Sequence, residues 1–256
     1  MRKSKNPEGL FYTIKGNGPA LVLLHGFLED KSMWNELTDH LSEFRTTIAI
    51  DLPGHGGLGT GDVVNIEDYG ERIVECLADL DIDSFEIIGH SMGGYVALAI
   101  AEAYPKNVTK MVLLNSTPFA DSDERKQKRQ QAIGVIENNP QLFIKTVIPN
   151  LFTWSFRKSH PEIVNELIQK ASRMKAKSII TATLAMKNRP GRTSVFNSFE
   201  KNGLIIAGRE DNLVDVNQLV ALSKEGNNQI EIINGGHMLA FESIDKVRIF
   251  LTNFIL

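Results

Sequence analysis

Apolar positions along this chain switch repeatedly between two spacings. Short runs in which most residues are apolar alternate with longer stretches in which apolar residues return every three or four positions, the periods of strands and helices. Strands are predicted at 10–15, 20–24, 46–50, 84–89 and 108–114, and again at 203–207 and 229–233. Helices are predicted at 32–44, 66–80, 92–104 (closed by Pro105), near 216–224, and from about Ile244 onward. Strands alternating with helices imply right-handed crossovers and a mainly parallel sheet covered on both faces. The predicted class is α/β, with ligand chemistry gathered at the carboxyl ends of the strands.

The rhythm breaks between about Thr117 and Glu200. That stretch has no convincing strand, but carries helical patterns at 123–138, 140–148, 161–176 and 178–187. Helices inserted between two strands of one sheet predict a cap, dividing the chain into a core of 1–117 and 200–256 and a helical insertion of 118–199. At 256 residues the chain is long enough for one such α/β domain with a sizeable core.

Charge and composition narrow the function classes. A net charge of −3 argues against nucleic acid as a partner. The basic cluster Arg125-Lys126-Gln127-Lys128-Arg129 is offset by Asp121, Asp123 and Glu124, and reads as a solvated helix face. The turn Lys187-Asn188-Arg189-Pro190-Gly191-Arg192, near where the insertion rejoins the core, is a candidate source of a cation for an acidic substrate, but reads rather as exposed. No stretch approaches 18 uninterrupted apolar residues, so no membrane span is expected. The charged N-terminus is followed by no apolar segment, which argues against export and leaves the cytoplasm as the default location. Cys76 is the single cysteine, so neither an intramolecular disulfide nor a cysteine-based metal cluster is available; its amphipathic surroundings predict a buried thiol.

The chemistry concentrates at Gly89-His90-Ser91-Met92-Gly93, where an apolar run enters and helix-forming residues leave. A serine between two glycines on a strand-to-helix turn fits a nucleophile elbow: the turn is tight, small residues must flank it, and the hydroxyl sits at a helix N-terminus. A serine hydroxyl needs a general base, and the base an orienting acid. His237 follows a β run and the loop Asn234-Gly235-Gly236, and is the best base of six histidines. Asp211, in the turn after 203–207, is preferred as the acid over Glu210, with Asp215 the next rival. His25 and His55 read as loop-bracing residues, and the side chain of His90 is expected to point away from that of Ser91.

The order Ser91, Asp211, His237 and three further motifs resemble the α/β-hydrolase superfamily across the predicted core. Leu24-His25-Gly26-Phe27 resembles its oxyanion loop, Asp51-Leu52-Pro53-Gly54-His55-Gly56 its second signature turn, and Trp34 stands where many relatives carry tryptophan. The resemblance implies an oxyanion hole from the backbone N–H groups of Phe27 and Met92. It implies a metal-free, cofactor-free serine hydrolase acting on a small carboxylic ester or lactone through an acyl-enzyme. The same triad in this superfamily also serves C–C bond hydrolysis and a pyruvate-eliminating lyase step of menaquinone synthesis, and a receptor of the same fold stays open as another class. Serine at position 91 disfavours the epoxide and haloalkane reactions, which use aspartate there. Phe152, Trp154 and Phe156 of the insertion, with Met238, are the expected substrate-pocket residues, although the aromatic cluster fits the insertion's own small core equally well and Met238 fits core packing as well.

Overall fold

The computed structural model describes residues 2–5, as backbone, and residues 9–256; Met1 and residues 6–8 of the charged N-terminal stretch lie outside the described residues. Among the described residues eight strands form one sheet: β1 (Arg2–Lys5), β2 (Phe11–Lys15), β3 (Ala20–Leu24), β4 (Thr46–Ile50), β5 (Phe85–His90), β6 (Val108–Leu114), β7 (Gly203–Gly208) and β8 (Gln229–Ile233). Their spatial order is β1-β2-β4-β3-β5-β6-β7-β8. From β4 through β8 every neighbouring pair is parallel, while β2 runs against both β1 and β4. The seven predicted strands occur within a residue or so of their expected bounds. β1 is not among the predicted strands, because Arg-Lys-Ser-Lys has no apolar residue to announce it; backbone pairing with β2 makes it a strand.

Alternate residues of the central strands feed separate cores. Val22 and Leu24 of β3 join Ile48, Ile50 and Ile87 on one face, while Leu21 and Leu23 join Ala49, Ile88 and Val112 on the other. Both faces are covered, which is why these strands read as unbroken apolar runs rather than alternating ones. The helices before the insertion are α1 (Asn35–Leu41), α2 (Ile66–Ala78) and α3 (Met92–Ala103). The predicted 32–44 helix is shorter: a 3₁₀ turn over Lys31–Trp34, capped by the Asp30 carboxylate on the Ser32 N–H, precedes α1 and delivers Met33 and Trp34 to the core. α2 starts with a reciprocal capping box between Asn65 and Asp68, and buries Ile66, Tyr69, Ile73 and Cys76. Burial pushes the Cys76 thiol up to about 12, so it remains an unreactive core residue.

Between β6 and β7 run α4 (Asp123–Asn138), α5 (Pro140–Val147), α6 (Trp154–Ser159), α7 (Pro161–Ala171), α8 (Ala176–Asn188) and α9 (Thr193–Asn197). Their apolar sides close a third core, containing Ile136, Ile144, Ile148, Phe152, Val164, Leu167 and Ile179. Leu28, from the loop after β3, and Met238, from the loop after β8, belong to that same core. The insertion is thus seated over the carboxyl ends of the strands by apolar packing. The core resumes with α10 (Val216–Gly226), α11 (Leu239–Glu242) and α12 (Ile244–Ile255). Among the described residues no helix is long and apolar enough to cross a membrane.

Candidate active site

Ser91 sits between β5 and α3 at φ 48° and ψ −114°, a backbone geometry that L-residues rarely adopt. The flanking glycines make the turn possible. A Cβ on Gly89 would lie 2.4 Å from the Gly93 carbonyl oxygen, and one on Gly93 would lie 2.2 Å from the Leu24 carbonyl oxygen. Both distances are far inside van der Waals contact, so no other residue fits without moving backbone. Backbone bonds hold the turn: the Ser91 N–H donates to Leu114 O (3.1 Å), and Ser116 Oγ donates to Ser91 O (2.7 Å).

Ser91 Oγ lies 2.8 Å from His237 Nε2, and His237 Nδ1 lies 2.8 Å from Asp211 Oδ2. These three residues, 26 and 146 positions apart in the chain, form one continuous hydrogen-bonded row. The loop carrying the imidazole is tied to the insertion, since the His237 N–H donates to Leu151 O at 2.9 Å. Asp211 Oδ2 also accepts from Asn115 Nδ2 (2.9 Å), and Oδ1 accepts from the Leu213 N–H (2.8 Å). Burial works against ionisation of Asp211. The His237 imidazole outweighs it, with help from the Asn115 and Leu213 donors, and holds the carboxyl below the usual carboxylate range. The two rival acids lie elsewhere. Glu210 is exposed, and Asp215 caps α10 by accepting from Asn217 N and Gln218 N. The N–H groups of Phe27 and Met92 have no acceptor among the described residues.

A second buried row was not legible in the sequence. Glu29 Oε2 accepts from the Gly26 N–H (2.7 Å) and lies 3.0 Å from His90 Nδ1, while His90 Nε2 lies 2.9 Å from the His237 carbonyl oxygen. One carboxylate therefore ties together the loop after β3, the end of β5 and the loop that carries His237. Burial disfavours both charges, but each partner outweighs it for the other: Glu29 is held below the usual range and His90 above it. The stabilisation from Glu29 is present above its ordinary value of 4.5 and lost as pH falls through the lower folded one. That from His90 is present below 6.5 and lost as pH rises through the higher folded value. Glu29→Gln is therefore expected to cost most stability between about pH 4.5 and 6.5, with the deficit shrinking toward alkaline pH. Urea midpoints of both proteins from pH 4 to 9 check this; a deficit that does not vary with pH would mean the pair is not ionised. His25 and His55 brace their loops: the Leu52 N–H donates to His25 Nε2 at 2.9 Å, and burial, then the nearby His25, lowers His55 to about 3.

A cavity of about 280 Å³ opens over Ser91 and His237. Its walls include Phe27, Tyr95, Phe143, Val147, Leu151, Met186 and Leu213, together with Arg125, Lys128 and Arg129. Phe152, Trp154, Phe156 and Met238, expected to line the pocket, do not. Phe152 stacks on Phe156 (5.3 Å between centroids), which stacks on His160 (4.4 Å), and Phe152 packs edge-on against Phe241. Only Phe156 lies within α6; Phe152 precedes its N-cap Thr153 and His160 is its C-cap, yet the three rings stack in one row. Phe152 carries that row against Phe241 of α11, and Trp154 is 63% exposed with the Lys158 ammonium over its ring. Met238 is fully buried in the insertion's core, facing away from the cavity that its neighbour His237 lines.

The basic segments also differ from expectation. Arg125, Lys128, Arg129 and Ala132 have the i, i+3, i+4, i+7 spacing of one helix side, and that side of α4 borders the cavity, with the two arginines half-buried and Lys128 exposed at its mouth. Arg189 and Arg192, expected on the surface, are only 4% and 3% exposed. Arg189 bonds to Asp121 Oδ1 (2.7 Å) and lies over the Tyr95 ring at 3.7 Å, while Arg192 is paired with Glu67 and Glu102. Net charge along a segment had suggested solvation; pairing with carboxylates distant in sequence decides it instead. Among the described residues no group of three or more His, Cys, Asp or Glu side chains is placed to hold a metal ion.

A family profile described as alpha/beta hydrolase fold matches residues 19–244 of this chain. Monoacylglycerol lipase ABHD6 of Mus musculus is 26% identical over 268 residues, spanning 94% of this chain and 76% of that one. Among solved structures, a thermophilic esterase from Thermogutta terrifontis (malate bound) aligns with a TM-score of 0.89 at 24% identity, covering 99% of this chain and 96% of that one. The enol-lactonase from Burkholderia xenovorans LB400 aligns with a TM-score of 0.88 at 20% identity, covering 96% of each chain. At these identities the likeness to solved structures speaks for the fold alone.

Proposed function

Since this chain belongs to the α/β-hydrolase family, we propose that it is a serine hydrolase of small carboxylic esters or lactones, working through an acyl-enzyme on Ser91. One observation carries this reading: Ser91 Oγ, His237 and Asp211 stand in a hydrogen-bonded row, 2.8 Å at each step, on the floor of a cavity large enough for a small substrate. In the first half-reaction Ser91 Oγ bonds to the carbonyl carbon as its proton passes to His237 Nε2. Asp211 accepts from Nδ1–H, fixes the tautomer that leaves Nε2 free, and supports the imidazolium once it forms. The carbonyl oxygen, now negative, is held by the N–H groups of Phe27, in the loop after β3, and of Met92, at the start of α3. One such donor is worth about 3–4 kcal/mol of transition-state stabilisation in other enzymes. His237 then gives its proton to the leaving alkoxide, the alcohol departs, and water repeats the sequence on the acyl-enzyme.

Cavity size supports a small substrate. Sites for drug-sized ligands span roughly 300–1,000 Å³, so about 280 Å³ favours a short acyl group over a long lipid chain. The names lipase, esterase and enol-lactonase carried by the relatives point to the same bond types. We read the helical insertion as a cap that closes the cavity and sets its length through Phe143, Val147 and Met186. Val147→Trp is accordingly expected to lower kcat/KM for hexanoate esters at least tenfold relative to acetate esters, whereas Trp154→Ala leaves the chain-length ranking as it was. Kinetics over a C2–C8 series check both; a ranking that follows Trp154 instead would move the acyl site to α6.

A fluorophosphonate, which phosphonylates serines activated as nucleophiles, tests the central assignment. Labelling is expected at one site, with the mass increase on the peptide that contains Ser91, and prior incubation with a short-chain ester is expected to slow it. Absence of labelling, or an adduct on another serine, would remove Ser91 from the role given to it.

A further inference from the structure

The charge on the cavity wall says more about the substrate than its volume does. Three guanidinium groups converge on one buried carboxylate: Arg189 Nη1 lies 2.7 Å and Arg125 Nε 3.5 Å from Asp121 Oδ1, and Arg129 Nε lies 2.5 Å from Asp121 Oδ2. Burial opposes the charge on Asp121, yet Arg129 and Arg189 outweigh it and hold the carboxyl below its usual range. That carboxylate balances one of the three positive charges. Two remain, carried on the side of α4 that faces Ser91 across the cavity. Lys128, at the mouth, is paired outward with Glu124.

Nothing else on the wall offsets the surplus. Among the described residues Glu29 is the one acid lining the cavity, and it is engaged by His90 behind it at 3.0 Å. The second guanidinium nitrogen of each pocket arginine is engaged weakly or by neutral groups: Arg125 Nη1 donates to Leu213 O, and Arg129 Nη1 points at Met186 Sδ (3.5 Å). Nη2 of both has no acceptor among the described residues. A purely structural anchor for Asp121 requires one arginine, and Arg189 already supplies it in a fully buried pair. Holding two more cations beside it costs mutual repulsion, which a bound anion would relieve. The surrounding Tyr95, Phe143, Val147 and Leu213 exclude water and strengthen any charge pair formed there. A planar guanidinium with free N–H groups matches a carboxylate edge-on.

We propose that this cavity takes an ester or lactone carrying a second, ionised carboxylate, which Arg125 and Arg129 bind while Ser91 attacks the scissile carbonyl. This rests on the reading of Ser91 as the nucleophile, and adds to it the class of substrate.

Matched pairs of esters differing in one charge test the idea on both sides of the scissile bond. Monomethyl succinate against methyl pentanoate places the carboxylate on the acyl side; 4-acetoxybenzoate against 4-methylphenyl acetate places it on the leaving group. In at least one pair the charged member is expected to have a kcat/KM at least tenfold higher, mainly through KM. Raising NaCl from 50 to 300 mM should raise KM for that charged ester and leave its neutral partner unmoved. Arg125→Gln and Arg129→Gln should each cut the charged-to-neutral ratio about tenfold, and Arg129→Lys should recover part of it. Should a glutamine variant fail to fold, the salt dependence of the unmodified protein still decides. Ser91-dependent turnover of neutral esters with no charge preference in either pair would overturn the substrate class and leave the serine hydrolase reading standing. If no ester is turned over and no fluorophosphonate adduct forms, both fall.

Discussion

Ser91→Ala is expected to reduce ester turnover by about 10⁶, to the level of contaminating background, while the protein stays folded. The hydroxyl is the group of this residue that reaches His237, at 2.8 Å from Nε2, and alanine removes it. The bonds that hold the turn are made by backbone atoms, through Leu114 O and Ser116 Oγ, and alanine keeps them. The φ of 48° is as awkward for alanine as for serine, so the strain does not change. Turnover of a short-chain ester and the thermal midpoint, measured together, check the two halves of this expectation. An alanine variant that keeps wild-type turnover would place the nucleophile elsewhere. One that loses activity only because it unfolds would show in the midpoint.

Asp211→Asn carries the second-largest effect, a loss of about 10⁴ in kcat on the precedent of serine proteases. The two carboxylate oxygens face three donors: His237 Nδ1 and Asn115 Nδ2 at Oδ2, and the Leu213 N–H at Oδ1. An asparagine offers only one acceptor oxygen to these two positions. With its NH₂ toward His237, the imidazole must move its proton to Nε2, where it can no longer accept the serine proton. With its NH₂ toward Leu213, two N–H groups confront each other in a buried site, which costs about 1–3 kcal/mol. Both loss of kcat and a lower thermal midpoint are therefore expected. Glu210→Gln, at an exposed position outside the row, serves as the comparison and should leave kcat within twofold. Reversal of that ranking would make Glu210 the orienting acid.

These two variants test residues that sequence pattern had already brought forward, and the reason they stood out is local. Ser91 lies in a turn whose geometry depends on residues two positions away: Gly89 and Gly93 are glycines because a Cβ at either would collide with backbone. Such a requirement is written into five consecutive letters. The parallel sheet was legible for a similar reason, since a strand covered on both faces must be apolar throughout, as Leu21 to Leu24 and Ile87 to Ile88 are. His237 and Asp211 follow strands in glycine-containing turns, a pattern that by itself puts them on the same edge of the sheet. β1 escaped notice because a strand made by backbone pairing alone leaves no hydropathy signal.

Local chemistry therefore determined the sheet, the elbow and the candidates for its relay, because steric fit at a turn and the two-sided burial of a strand act over a few residues. Only the tertiary structure decided which way side chains between elements face. Glu29 and His90 are 61 positions apart, and His90 reaches the carbonyl of His237 across 147; nothing in either neighbourhood marks them as partners. Phe152, Trp154 and Phe156 looked like a substrate wall, but which way their rings face depends on where Phe241 and the rest of the insertion's core offer apolar surface. The arginines of α4 looked solvated because charges close in sequence appeared to balance them. Their real environment is set by Asp121, Arg189 and the closure of α4 against α8, and the energy of a charge depends on what lies within a few ångströms of it in space.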